Sequence, residues 1–210
     1  MSEKIFDVPA DWAKRAWVDR GTRMFLTSET VYRQMQFPDH DEWHGDTRIN
    51  LLRQSGAQAE LLDDHTFADL GVSSLIVDGT NLFVDAQRQY YWWGYADLRA
   101  ADPPTWESTS DRLMTFDLSQ RTLRTTFDQP IRTTYSQLMG LHDRHLFLSL
   151  PGDGVLLIDV SNPAQPAGTR FVRTLGWASH IDFAGNDAYV ASGNFGVFDI
   201  DLTAPPVLTN

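Results

Sequence analysis

The chain has 210 residues, 42% of them hydrophobic and 21% charged, with a formal net charge of −11 and no cysteine. That length suffices for one good core or at most two small domains, and an ordinary globular composition excludes disorder of the whole chain. The negative charge argues against nucleic acid and anionic membrane surfaces, while the missing cysteines exclude disulfides, thiolate zinc sites and cysteine nucleophiles.

The N-terminal stretch MSEKIFDVPADWAKRAWVDRG has no apolar h-region and does not read as a signal peptide. No apolar run approaches a membrane span, so no membrane insertion is expected. On these grounds the chain is either cytoplasmic, if Met1 is its native start, or a piece of a longer protein. From Val18, VDRGTRMFLTS is an apolar strand, a short polar turn and a second apolar strand. The same construction returns as VDGTNLFVDA from Val77, LHDRHLFLSL from Leu141 and FAGNDAYVAS from Phe183. Each is a hairpin signature.

A third strand follows in every copy: INLL at Ile49, LMTFDLS at Leu113, LLIDVSN at Leu156 and GVFDIDL at Gly196. A fourth comes next: AELLDD at Ala59, TLRTTF at Thr122, TRFVRTL at Thr169 and the shorter PVLTN at the end. Aligning Phe116, Ile158 and Phe198 gives steps of 42 and 40 residues. Four antiparallel strands per roughly 40 residues is the pattern of a β-propeller blade. The turn after the third strand, Asp159-Val-Ser-Asn-Pro, ends it because Pro163 and Pro166 fix φ while Ser161 and Asn162 can bond local backbone.

The expected fold is therefore all-β, a propeller of about four blades over residues 13–64, 73–128, 136–175 and 179–210. Two arrangements remain open. KIFDV near the N-terminus could complete the last blade and close the ring, or the chain is the C-terminal portion of a larger propeller. In the second case further blades come from the same or another chain.

Two blades carry extra length between their second and third strands, approximately residues 29–47 and 86–110. The separation is 26 residues from Phe25 to Leu51 and 33 from Phe83 to Phe116, against 11 from Phe147 to Ile158. Alternating strand direction sends both insertions to one face, expected as long loops lying side by side.

Over Ser136 to Pro206, and more weakly over Ala16 to Pro130, the sequence resembles propeller proteins with LVIVD-type repeats of the form "aYVA…GLxVxDVSNPxxP". It is also similar to secreted propeller domains distantly related to WD repeats. The resemblance implies a blade and an extracytoplasmic or cell-envelope setting, often alongside other domains. It implies no particular activity.

The first insertion holds Asp39, His40, Asp41, Glu42, His44 and Asp46, oxygen and imidazole donors suited to a divalent metal, though without a diagnostic spacing. An exposed acidic loop has the same composition, so no cofactor is required and a divalent metal is an option. The second insertion holds Tyr90, Tyr91, Trp92, Trp93, Tyr95 and Trp106, which Trp43 joins from the first. Consecutive aromatics on an extended segment project to alternate sides, so one small loop does not bury them all. Such residues suit a protein interface or a sugar platform, or form a local mini-core.

His180 and the serines of Ser73-Ser74-Leu75, Ser136-Gln137-Leu138 and Ser179-His180-Ile181 fall on expected inner strands, where strand backbone or channel water would satisfy them. No nucleophile elbow, P-loop or dinucleotide fingerprint occurs, and the GDG and GNFG runs read as turns. A non-enzymatic binding or assembly module with a protein partner is the leading expectation. A metal-dependent hydrolase or lyase and a carbohydrate-binding propeller are the alternatives.

Overall fold

A computed structural model describes residues 14–36, 41–68, 70–88, 90–91, 111–131, 136–150, 152 and 154–204. The described residues are all-β: sixteen strands, with one 3₁₀ turn at Gly193–Phe195, form four antiparallel sheets in sequence order.

The first sheet holds β1 (Lys14–Asp19), β2 (Met24–Gln36), β3 (Asp41–Ser55) and β4 (Gln58–Phe67), and it is joined by the short β7 (Tyr90–Tyr91). The second holds β5 (Leu70–Asp78), β6 (Asn81–Arg88), β8 (Arg112–Asp117) and β9 (Arg124–Pro130). The third holds β10 (Gln137–His142), β11 (His145–Leu150), β12 (Gly154–Asp159) and β13 (Ala167–Arg173). The fourth holds β14 (His180–Ala184), β15 (Asp187–Ala191) and β16 (Val197–Asp201). Each sheet is a meander in which every strand pairs with the next, so the four expected hairpins and their third strands are all present. The material expected as the fourth sheet's outer strand, PVLTN, and the segment KIFDV both lie outside the described residues.

The sheets pack face to face in chain order, because alternate residues of the middle strands are apolar on both faces. Leu26, Ile49 and Leu51 of the first sheet meet Leu82, Val84, Met114 and Phe116 of the second. Phe83 and Leu113, on the second sheet's other face, meet Leu138, Leu146, Leu148 and Ile158 of the third. Phe147, Val155 and Leu157 meet Ile181, Ala188, Val190 and Ile200 of the fourth.

The last alignment of the repeat shifts by two residues. In the second, third and fourth sheets the turn after the third strand is capped by an aspartate: the Asp117 carboxylate accepts the Ser119 N–H at 2.9 Å, Asp159 that of Ser161 at 2.8 Å and Asp201 that of Thr203 at 2.8 Å. Ile200, not Phe198, thus corresponds to Ile158 and Phe116, and both steps are 42 residues. The Ser161 and Thr203 hydroxyls add a second bond at 2.6 Å to the same oxygens. These bonds hold the carboxyls of Asp159 and Asp201 below the usual range. Asp159→Ala removes both bonds and is expected to cost about 1 kcal/mol in urea unfolding. Asp159→Asn, which keeps an acceptor, should retain most of that stability.

The first insertion is not a loop. Strands β2 and β3 pair without interruption from Met24↔Arg53 to Gln36↔Asp41, so most of residues 29–47 form the far half of a long hairpin. Sequence reading missed this because the segment mixes scattered apolar residues with many polar and charged ones and carries no sustained alternation. A two-stranded ribbon closed by backbone pairing needs none.

Candidate functional site at the connection end

Strand direction alternates within each sheet, so the turn between second and third strands and the link to the next sheet always share one end. There the long hairpin leaves the first sheet, β6 ends and β8 begins in the second, and the 174–179 link crosses from the third sheet to the fourth. The two insertions meet in backbone pairing: Tyr91 lies opposite Trp43 and Tyr90 opposite His44, on the edge of β3 that β4 occupies further along.

The side chains of Asp41, Glu42, Trp43, His44, Tyr90 and Tyr91 lie outside the described part, as do residues Asp39, His40, Trp92, Trp93, Tyr95 and Trp106 entirely. Within β3, positions 42, 44 and 46 share one face and 41, 43 and 45 the other. The proposed ligand set is therefore divided between two faces over this stretch. Among the described residues no group of three His, Cys, Asp or Glu is placed to hold a metal ion.

A polar cluster that sequence reading did not single out sits at the root of the second insertion. Asp85, at the insertion end of β6, and Asp111, just before β8, are 0% and 3% exposed. The Ser136 Oγ lies 2.9 Å from Asp85 Oδ1 and 2.9 Å from Asp111 Oδ2, and the Ser136 N–H donates to the same Asp111 oxygen at 2.6 Å. The Ser73 hydroxyl donates to Asp85 Oδ2 at 2.7 Å, and the Leu138 N–H donates to Ser74 Oγ at 2.8 Å. Gln87 Nε2 reaches both Asp85 Oδ2, at 3.5 Å, and the Ser136 carbonyl.

Burial raises the Asp85 carboxyl to about 7, with the Asp111 charge adding to it against the lowering by Ser73, Ser136 and Gln87. Two of the recurrent Ser-x-Leu serines thus bind carboxyl groups, and the Ser73 hydroxyl also lies 3.3 Å from the Ser136 carbonyl. The signal for Asp85 was in the sequence: it is an acid two residues after Phe83, in the inward register of an apolar strand. Both carboxyls are buried, and their hydrogen bonds brace β5, β6 and the residue before β8 against the start of β10.

At the same end of the fourth sheet stand Leu175, Trp177, Phe195 and Val197, exposed by 59%, 56%, 61% and 66%. They are held on fixed turns: the Ser192 hydroxyl donates to the Leu175 carbonyl, and Ser192 N–H to Gly196 O spans 2.9 Å. Gly176 has φ +84°, and a Cβ there would stand 2.7 Å from the Phe195 ring, so the ring lies directly against the backbone. Leu175, Trp177 and Phe195 lie outside the strands and Val197 opens β16, in TLGWAS and SGNFGV, where strand periodicity gives no reason to flag them. His180 is exposed on β14 opposite Ala191, and Ser179 Oγ donates to the Ala191 carbonyl at 3.4 Å.

No protein-family model matches the chain. A 20-residue stretch, 10% of the chain, is 85% identical to part of an acetyl-coenzyme A synthetase of Bradyrhizobium diazoefficiens. The matched stretch spans 3% of that protein's length, and twenty residues are too few to carry a fold or an activity across. Among the described residues no helix is long and apolar enough to cross a membrane.

Proposed function

We propose that this chain is a non-enzymatic binding and assembly module of the β-propeller kind, each sheet a blade, related to the LVIVD-type repeat proteins and working in an extracytoplasmic complex. The 42-residue step and sheets packed in chain order support the propeller reading. The observation that carries the binding role is the apolar group Leu175, Trp177, Phe195 and Val197. Each is more than half exposed, Leu175, Trp177 and Phe195 on turns and Val197 at the start of β16, at the connection end of the fourth sheet. Contiguous exposed apolar side chains on a rigid scaffold mark interaction surfaces. The joined backbone of β3 and β7 stands at the connection end of the first sheet.

The native mass, by light scattering with identification of every polypeptide present, tests this. The expected result is a particle heavier than the 23.8 kDa monomer, and Trp177→Asp with Phe195→Asp should return it to monomer mass without unfolding. A wild-type protein that stays at monomer mass, with no second chain, overturns the assembly role.

A further inference from the structure

We propose that Asp85, Ser136 and Asp111 form a proton-holding latch, which ties β6 and the residue before β8 to the start of β10 and loosens when the proton is lost. The inference follows from counting hydrogens. Ser136 has one hydroxyl proton, yet its Oγ lies 2.9 Å from a carboxyl oxygen on each side. One hydroxyl cannot donate to both, so one of the two contacts is donated by a protonated carboxyl.

The surroundings say which. Asp111 Oδ2 already accepts the Ser136 N–H at 2.6 Å, which favours its charged form. The proton therefore sits on Asp85 Oδ1, and the chain runs Asp85 O–H to Ser136 Oγ and Ser136 O–H to Asp111 Oδ2. Asp85 Oδ2 remains an acceptor for the Ser73 hydroxyl. Burial acts in the same direction, holding the Asp85 proton to near neutrality.

When Asp85 gives its proton to water, Ser136 can serve only one carboxylate, and two like charges then face each other across a single hydroxyl. Among the described residues, Asp111 is the titratable group facing Asp85. Strand β5 contributes Ser73 and Ser74, the link before β10 contributes Ser136, and neighbouring Arg112 turns away to Asp128 at 2.8 Å. The groups acting on the Asp85 carboxyl are thus two hydroxyls, an amide and a like charge.

A carboxyl is not needed to join sheets at this position. In the third sheet the residue two after the strand aromatic is Ser149, also fully buried, and its hydroxyl donates to the Ala178 carbonyl at 2.9 Å. The acid at 85 therefore adds a titration that its neutral counterpart lacks. Release frees β6, which carries Asp85, and Asp111, the residue before β8, from the start of β10. An effect of the latch on binding rests on the function proposed above; the latch itself does not.

The test is a carboxyl-carbon NMR titration of the full chain from about pH 4 to about pH 8, with amide exchange at Ser136 followed alongside. One carboxyl of the pair should keep its proton to near neutral pH. Ser136 amide protection, corrected for intrinsic exchange, should fall roughly tenfold per pH unit up to that point and then level off. In Asp85→Asn, whose amide can donate to Ser136 at every pH, the protection should stay constant. If both carboxyls titrate near 4, or protection at Ser136 is flat in the wild type, the latch is wrong. Neither readout involves a partner, so the latch and the binding function can fail separately.

Discussion

Gly154→Ala is expected to destabilise the protein by about 4 kcal/mol, measured as a shift in urea midpoint, because neither backbone strain nor overpacking can be relieved there. Gly154 opens β12 with φ +149°, a region that side-chain-bearing residues rarely enter. A Cβ at this position would lie 2.1 Å from the Val172 carbonyl oxygen, 2.9 Å from Arg173 Cα and 3.0 Å from Thr174 N. All three are backbone atoms of β13 or the residue after it, so no rotamer change makes room. Strand β12 must move off β13, breaking the Gly154↔Arg173 and Val155↔Val172 register. The displacement passes into the 174–179 link that carries Leu175 and Trp177. Gly152 provides the control: it has φ +77°, but a Cβ there would meet nothing within 4 Å, so Gly152→Ala should cost only about 1 kcal/mol. A Gly154→Ala protein within about 1 kcal/mol of wild type would refute this reading of the β12–β13 contact.

The same residues show what was legible in the sequence. The run PGDG was recognisable as a turn, since glycine and aspartate punctuate strands, but which glycine had no room was not. That depends on how closely β13 approaches β12. The hairpins around Val77, Leu141 and Phe183 were legible because apolar alternation and a short polar turn are local signals. The place of Asp201 in the repeat was less so. Asp199 and Asp201 both follow apolar residues, and only the hydrogen bonds to Thr203 distinguish the capping aspartate.

At the candidate site, the side-by-side placement of the insertions followed from strand direction alone, and the pairing of Trp43 with Tyr91 agrees with it. The contact of Asp85 with Ser136 joins residues 51 positions apart in different sheets, so no spacing rule reveals it.

Asp85→Asn is expected to remove a fall in stability of about 4 kcal/mol that the wild type shows between about pH 4 and pH 7. The folded state holds the Asp85 proton up to about 7, whereas the unfolded chain releases it near the ordinary value of 3.8. Between those values the folded state binds more protons than the unfolded, so raising the pH favours unfolding. The stabilisation is complete below about 4 and gone above about 7.

Two other effects shape the curve. The capping carboxyls Asp117, Asp159 and Asp201 are lowered by their Ser, Thr and backbone hydrogen bonds, so their contribution is present above the unfolded value and lost as the pH falls below it. His65, packed edge-on against Phe67 and Phe116 at 4.8 and 5.0 Å, is lowered chiefly by desolvation and adds a rise with pH approaching 6.5. Both effects are common to the wild type and the variant, so the difference between their unfolding free energies isolates Asp85. That difference should decline steadily from about pH 4 to about pH 7 and then flatten. Parallel stability curves would mean that Asp85 is ionised in the folded protein throughout, with its charge met by a donor the cluster does not include.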